Sequence, residues 1–146
     1  MAFRFSLASV LTVRKLLEER AYSQLEKVQQ EILQVELQRT QASDWLSVCV
    51  RSREAELSKG TSSFRLQSQY DQMLALEQGL AALEVRLQQL HSKRAQCLTE
   101  YQEARQRREV MEELRERQRN EYLRHEAKRQ QSALDDLFLS RRRHIR

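Results

Sequence analysis

The sequence contains no proline and only two glycines, Gly60 and Gly79, so almost every turn that needs a fixed φ or a left-handed residue is closed to it. Average usage would place roughly seven prolines and ten glycines in a chain of this size. Folds with several tight connections are excluded, and nearly uninterrupted helix remains. The side chains agree: charged residues make up 32% of the chain and aromatics 6%, the balance of long helices and coiled coils. Arginine outnumbers lysine by 21 to five, so the basic surface is mostly guanidinium, a planar fork suited to fixed contacts with a partner.

The net charge of +5 is unevenly spread. Residues 1 to 60 carry nine basic and eight acidic side chains, residues 61 to 104 four and five, and residues 105 to 146 thirteen and eight. Acids interrupt the basic closing segment, as in Arg115-Glu116-Arg117 and Glu126-Ala127-Lys128-Arg129, which is the pattern of a solvated helix with intrahelical ion pairs. Only Arg141-Arg142-Arg143 is an unbroken basic run, and at a helix C-terminus it complements the macrodipole. With interleaved acids and few aromatics for stacking, nucleic acid is not an expected partner. No segment approaches the ~20 apolar residues of a membrane span. The opening, Met1 to Leu11, has Arg4 inside its apolar run and does not read as a signal peptide. A soluble cytoplasmic chain is expected.

Along the chain, Ser6 reads as the N-cap of a first helix, with Phe5 stapled against Val10. Leu25, Val28, Ile32, Val35, Arg39, Ala42, Leu46 and Cys49 then alternate steps of three and four, a heptad seam. Nearer the start, Val10, Val13, Leu17 and Ala21 extend it with a stutter. The credible break is Leu57 to Ser63, where Gly60 ends one helix and Ser62 or Ser63 caps the next. A second seam follows as Met73, Leu76, Leu80, Leu83, Leu87, Leu90, Arg94, Cys97, Tyr101, Ala104, Arg108 and Met111.

The fold expected is all-α: a long antiparallel two-helix coiled-coil hairpin with the C-terminal helix overhanging. Residues 1–146 form a single coiled-coil domain, with helix one over about 7–57, a loop over about 58–63 and helix two over about 64–139. With the turn near residue 61, facing positions have numbers adding to about 122. That sets Leu46 near Leu76, Val35 near Leu87, Ile32 near Leu90, Leu25 near Cys97 and Leu11 near Met111. Glu36 falls opposite Arg86 and Arg39 opposite Glu84. Cys49 and Cys97 are offset by ~36 Å and cannot bridge within one hairpin. Helix one runs out opposite residue 115, so about 115–139 should project as a single helix that either frays or has a partner.

No catalytic, cofactor or metal site is expected. His91, His125 and His144 are isolated, the two cysteines lack metal-ligand spacing, and carboxylate pairs such as Glu112-Glu113 and Asp135-Asp136 diverge on a helix. A two-helix hairpin offers no pocket for a small substrate.

Both ends of the chain carry a pattern. The opening Phe3-Arg4-Phe5-Ser6-Leu7-Ala8-Ser9-Val10-Leu11-Thr12-Val13-Arg14, the stretch Leu114 to Glu126, and the closing Leu134-Asp135-Asp136-Leu137 resemble the FliJ family of bacterial flagellar export proteins. A related stalk protein of a virulence type III secretion system, or a generic coiled-coil scaffold, is the alternative. The resemblance implies a non-enzymatic stalk that inserts its termini into the hexameric export ATPase FliI and promotes ring assembly and ATP hydrolysis. It further implies contact with the export gate protein FlhA, an association with the regulator FliH, and handling of late-substrate export chaperones. The chain would then be cytoplasmic, peripheral to the inner membrane through its partners. On that view Arg115, Arg117, Tyr122 and Glu126 are expected to dock in the ATPase ring, and Gln38, Ala42, Trp45, Cys49, Met73 and Leu80 to meet the gate, with Asp44-Trp45 as an acid-aromatic pair.

Overall fold

The structure is a computed structural model and describes residues 2–144. Met1 of the opening segment, Ile145, Arg146 and the side chain of His144 lie outside the described residues. Two α-helices account for nearly all of it, α1 over Ala8–Lys59 and α2 over Ser63–His144, folded as an antiparallel hairpin. The helices run slightly longer than the breakers in the sequence suggest. In α2 the basic run Arg141 to Arg143 neutralises the negative end of the helix, and no residue before it stops the ladder. The described residues divide into two compact units, one of Met1–Arg20 with Gln102–Arg146 and one of Ala21–Tyr101.

In the Ala21–Tyr101 unit, Gly60 makes the turn with φ of +80°, the left-handed conformation that closes a helix C-terminus. The Ser62 side chain then accepts a hydrogen bond from the Arg65 N–H at 3.3 Å, so Ser62 is the cap of α2. The core is a single seam. Leu25, Val28, Ile32, Leu87, Leu90 and Cys97 form one buried cluster, with Val35 and Tyr101 packed against it. Leu25, Ile32 and Val35 share this cluster with Cys97, Leu90 and Leu87, the residues expected to face them. Tyr22 and Tyr101 add a tilted ring pair at 5.6 Å.

Flanking ion pairs are set by geometry as much as by register. Arg39 reaches Glu84 at 3.3 Å as expected, but Arg86 pairs with Glu31 at 3.3 Å and not with Glu36. Counting heptads from the seam puts Arg86 and Glu31 both at g, on one flank, while Glu36 is at e on the other. An antiparallel pair brings like flanks together. Toward the loop the seam turns polar: Gln69 donates to Glu56 at 2.7 Å and the Arg53 guanidinium lies 6.0 Å from the Tyr70 ring.

The unit containing the chain termini corrects two expectations. The first helix begins at Ala8, with the Ala8 N–H donating to the Phe5 carbonyl and the Leu11 N–H to Leu7, so Leu7 holds the cap position assigned to Ser6. Phe5 is half-buried beside Leu11, and Val10 is left outside as no staple. Burial in α1 falls on Leu11, Arg14 and Glu18, and not on Val10, Val13 and Leu17. The stutter is absent. Strict three-four alternation counted down from Leu25 reaches Ala21, Glu18, Arg14 and Leu11, and the polar members of that phase are paired. Arg108 donates to Glu18 and, at 2.6 Å, to Glu112, while Arg14 donates to the Arg107 carbonyl at 3.2 Å. Lys15 and Glu112, both at e, add a bridge at 3.6 Å.

The hydrogen bond to Glu18 holds the Arg108 guanidinium above its ordinary pKa, with partial burial opposing it. A cation whose folded pKa is raised loses its stabilising contribution only as pH rises into the arginine range, so this contribution is present at neutral pH. Removing one partner strands the other in a seam where both are mostly covered. Arg108→Leu should therefore lower stability by roughly 1–2 kcal/mol, and Glu18→Leu with Arg108→Leu should recover most of it, in urea unfolding followed by circular dichroism. The glycines should behave oppositely. Gly60→Ala forces a side chain into a left-handed residue and should cost about 1 kcal/mol, whereas Gly79→Ala, in helix with nothing within 4 Å of the new Cβ, should gain about 0.5–1 kcal/mol.

Candidate functional site

The unit of the termini carries the first candidate surface. Residues 2–5 have no regular structure and continue past the start of α1 along α2, putting the Phe3 ring 5.7 Å from that of Tyr122. A groove of about 240 Å³ is lined by Phe3, Phe5, Ala8, Leu11, Thr12, Lys15 and Arg115. Non-helical chain rises ~3.3 Å per residue against 1.5 Å for helix, so these few residues cover about twice their number on α2. The single-helix overhang consequently starts near residue 127 and not at 115. Of the expected ring-docking residues, Arg115 and Tyr122 are brought together beside the N-terminal segment. Glu126 is half-buried at its margin, and Arg117 points outward within 3.9 Å of Glu113.

From 127 to 143 every residue is exposed. Following the seam phase through Tyr122, His125 and Arg129 misses what this overhang presents. Leu123, Ala127, Leu134, Leu137 and Phe138 fall on one face at 100° per residue, turned well away from the seam, and Phe138 is 72% exposed. The signal was present as steps of four, seven and three to four between apolar residues, but the long gap at Gln130 and Gln131 hides it. Asp135 and Asp136 point off this face toward the polar side, as does Lys128.

The second surface lies in the Ala21–Tyr101 unit. Trp45 is 60% exposed and Gln38 is exposed beside it at the same heptad position, g. Ala42, Cys49, Met73 and Leu80 are half-buried in the seam, so they offer edges and not faces to a partner. Asp44 diverges from Trp45 by about 100° and lines a separate dent with Glu36, Arg39, Thr40 and Ser43. Two contributors were not anticipated. Val48 is exposed three residues beyond Trp45, and Gly79, at g on α2, stands across from Trp45 by the register of the Arg39–Glu84 pair. Lacking a side chain, Gly79 leaves the flank open beside the indole. Phe64, near the start of α2, is also exposed.

Chemically, these surfaces can bind but hold no convergent reactive groups. Among the described residues no group of three or more His, Cys, Asp or Glu is placed to hold a metal ion. Among the described residues no helix is long and apolar enough to cross a membrane. Cys97 is buried in the seam, Cys49 half-buried, and both are free thiols.

A family model described as flagellar FliJ protein matches residues 3–146, essentially the whole chain. The chain belongs to the FliJ family. Comparison with curated proteins gives no match, and comparison with solved structures gives none. This FliJ-family chain is thus a component of flagellar protein export built as a two-helix hairpin. Its exposed indole gives a direct check on the second surface. Trp45 fluorescence should be strongly quenched by acrylamide, close to a free indole, and Trp45→Ala should leave the melting temperature almost unchanged, as expected of a side chain with little packing to lose.

Proposed function

We propose that this chain is the stalk of the flagellar export ATPase. The observation that carries the reading is the overhang: about 18 residues of unpaired helix past residue 126, with Leu134, Leu137 and Phe138 outward on one face, in a FliJ-family chain. A single helix enters a pore too narrow for the hairpin. There the apolar face meets the lining of the hexameric FliI ring, and Arg117 with the basic residues of the overhang meets its acidic groups. Arg115 and Tyr122 act by fixing the N-terminal segment at the collar where one helix becomes two, with Glu126 at its edge. The stalk is not itself an enzyme and acts by promoting ring assembly and ATP hydrolysis.

In the same proposal Trp45, Gln38 and the opening left by Gly79 form the contact with the export gate protein FlhA, with Ala42, Cys49, Met73 and Leu80 supporting it from the seam. FliH and the late-substrate chaperones are further partners, and the chain works in the cytoplasm, peripheral to the membrane through them. The family match favours the flagellar system over a virulence secretion system.

Mixing the chain with the cognate ATPase should raise ATP turnover and ring formation. The triple variant Leu134→Glu, Leu137→Glu, Phe138→Glu should lose at least tenfold in the concentration needed for stimulation, with its helical circular dichroism retained. Trp45→Ala should stimulate as the parent does. Unchanged stimulation by the triple variant would remove the overhang from the mechanism.

A further inference from the structure

The burial phase in the unit of the termini leaves a set of apolar residues without an occupant. With Leu11, Arg14 and Glu18 in the seam, Val10 and Leu17 fall at g and Val13 at c. On α2, with Arg108 and Met111 in the seam, Val110 falls at c and Leu114 at g. The Lys15–Glu112 bridge fixes the e flank, and the Arg14 bond to the Arg107 carbonyl marks the opposite one. Antiparallel pairing therefore brings the g and c positions of both helices onto one side. Val13 is 53% and Val110 58% exposed, at positions that coiled coils normally give to polar residues.

The charge around this face is one-sided. Its own g and c positions carry Arg20, Arg107, Arg117 and Arg124 against Glu103 and Glu121, and among the described residues neither Arg20 nor the Arg107 guanidinium has an ion-pair partner. The e and b positions behind it hold Glu19, Glu109, Glu112 and Glu116 beside Lys15, Arg105 and Arg119, and the last three of these acids are already bridged. Val10, Leu17 and Leu114 at g, with Val13 and Val110 outside them at c and Arg107 among them, make an apolar face of the kind against which a third helix packs.

We infer that the flank made by Val10, Val13, Leu17, Val110 and Leu114 docks an amphipathic helix of a partner protein, one whose apolar stripe is bordered by carboxylates that meet Arg20, Arg107 and Arg117. The site belongs to the paired part of the hairpin and does not depend on the overhang.

Two fluorescein-labelled helical peptides of equal apolar stripe test it on the full chain by anisotropy, one flanked by glutamates and one by lysines. The glutamate peptide should bind at least tenfold tighter, with affinity falling as salt rises. Val13→Glu with Val110→Glu should weaken it at least tenfold with the helical spectrum intact. Arg20→Glu with Arg107→Glu should reverse the preference toward the lysine peptide, and Phe64→Glu, an exposed change in the other unit, should leave the affinity for the glutamate peptide unchanged. Equal binding of both peptides, no binding of either up to millimolar concentration, or insensitivity to the Val13 and Val110 changes would overturn the inference. So would sedimentation showing self-association that those two changes abolish, because a second copy would then cover the face.

Discussion

Each of the two helices has one narrow stripe to hide, and the only surface available to hide it is the stripe of the other. That reciprocal burial is what the rest of the structure depends on. A lone helix of this composition would gain little from propensity, so helicity, register and the exposure of every other residue follow from which side chains enter the seam. Leu90, 1% exposed, sits in the best packed part, within the cluster of Leu25, Val28, Ile32, Leu87 and Cys97.

The seam is not uniformly apolar, and its polar interruptions specify more than they stabilise. Arg108 and Glu18 occupy core positions in one unit, with Glu112 bridging to Arg108 from the flank, and Arg53, Glu56 and Gln69 do so near the turn of the other. Apolar side chains of similar size would serve stability as well or better, whereas a register slip would strand Arg108 and Glu18 unpaired. The cost of keeping them is offset by a single allowed alignment, which in turn sets Trp45 across from Gly79 and puts Val13 and Val110 on the same side of the coil. Exposed apolar residues are thus by-products of the seam's phase: whatever apolar residue the phase rejects is displayed.

Much of this was legible in the residues. The absence of proline, the lone permissive break at Gly60 and ten apolar positions among twelve on the second seam led to the hairpin and to the pairing of Leu25, Ile32 and Val35 with their partners. The start of the chain was read wrongly for a physical reason. Val10, Val13 and Leu17 are the better hydrophobes, and a stripe chosen by hydrophobicity alone must include them. The folded chain chooses Arg14 and Glu18 because their charges find partners on α2 and the heptad needs no unwinding. Likewise Glu36 was matched to Arg86 by distance along the coil, without regard to the flank each occupies.

The sequence by itself determined that this protein is a helical hairpin with one turn, unequal arms and a basic long end, since those follow from backbone permissiveness and the period of burial within each helix. Only the tertiary structure decided how far the long arm is left bare. The Phe3 segment reaches Tyr122, past the start of α1, because it is non-helical and each of its residues reaches farther than a helical one. It also decided which apolar residues face water, because that depends on ion pairs between residues some 90 positions apart, and no local pattern reports them.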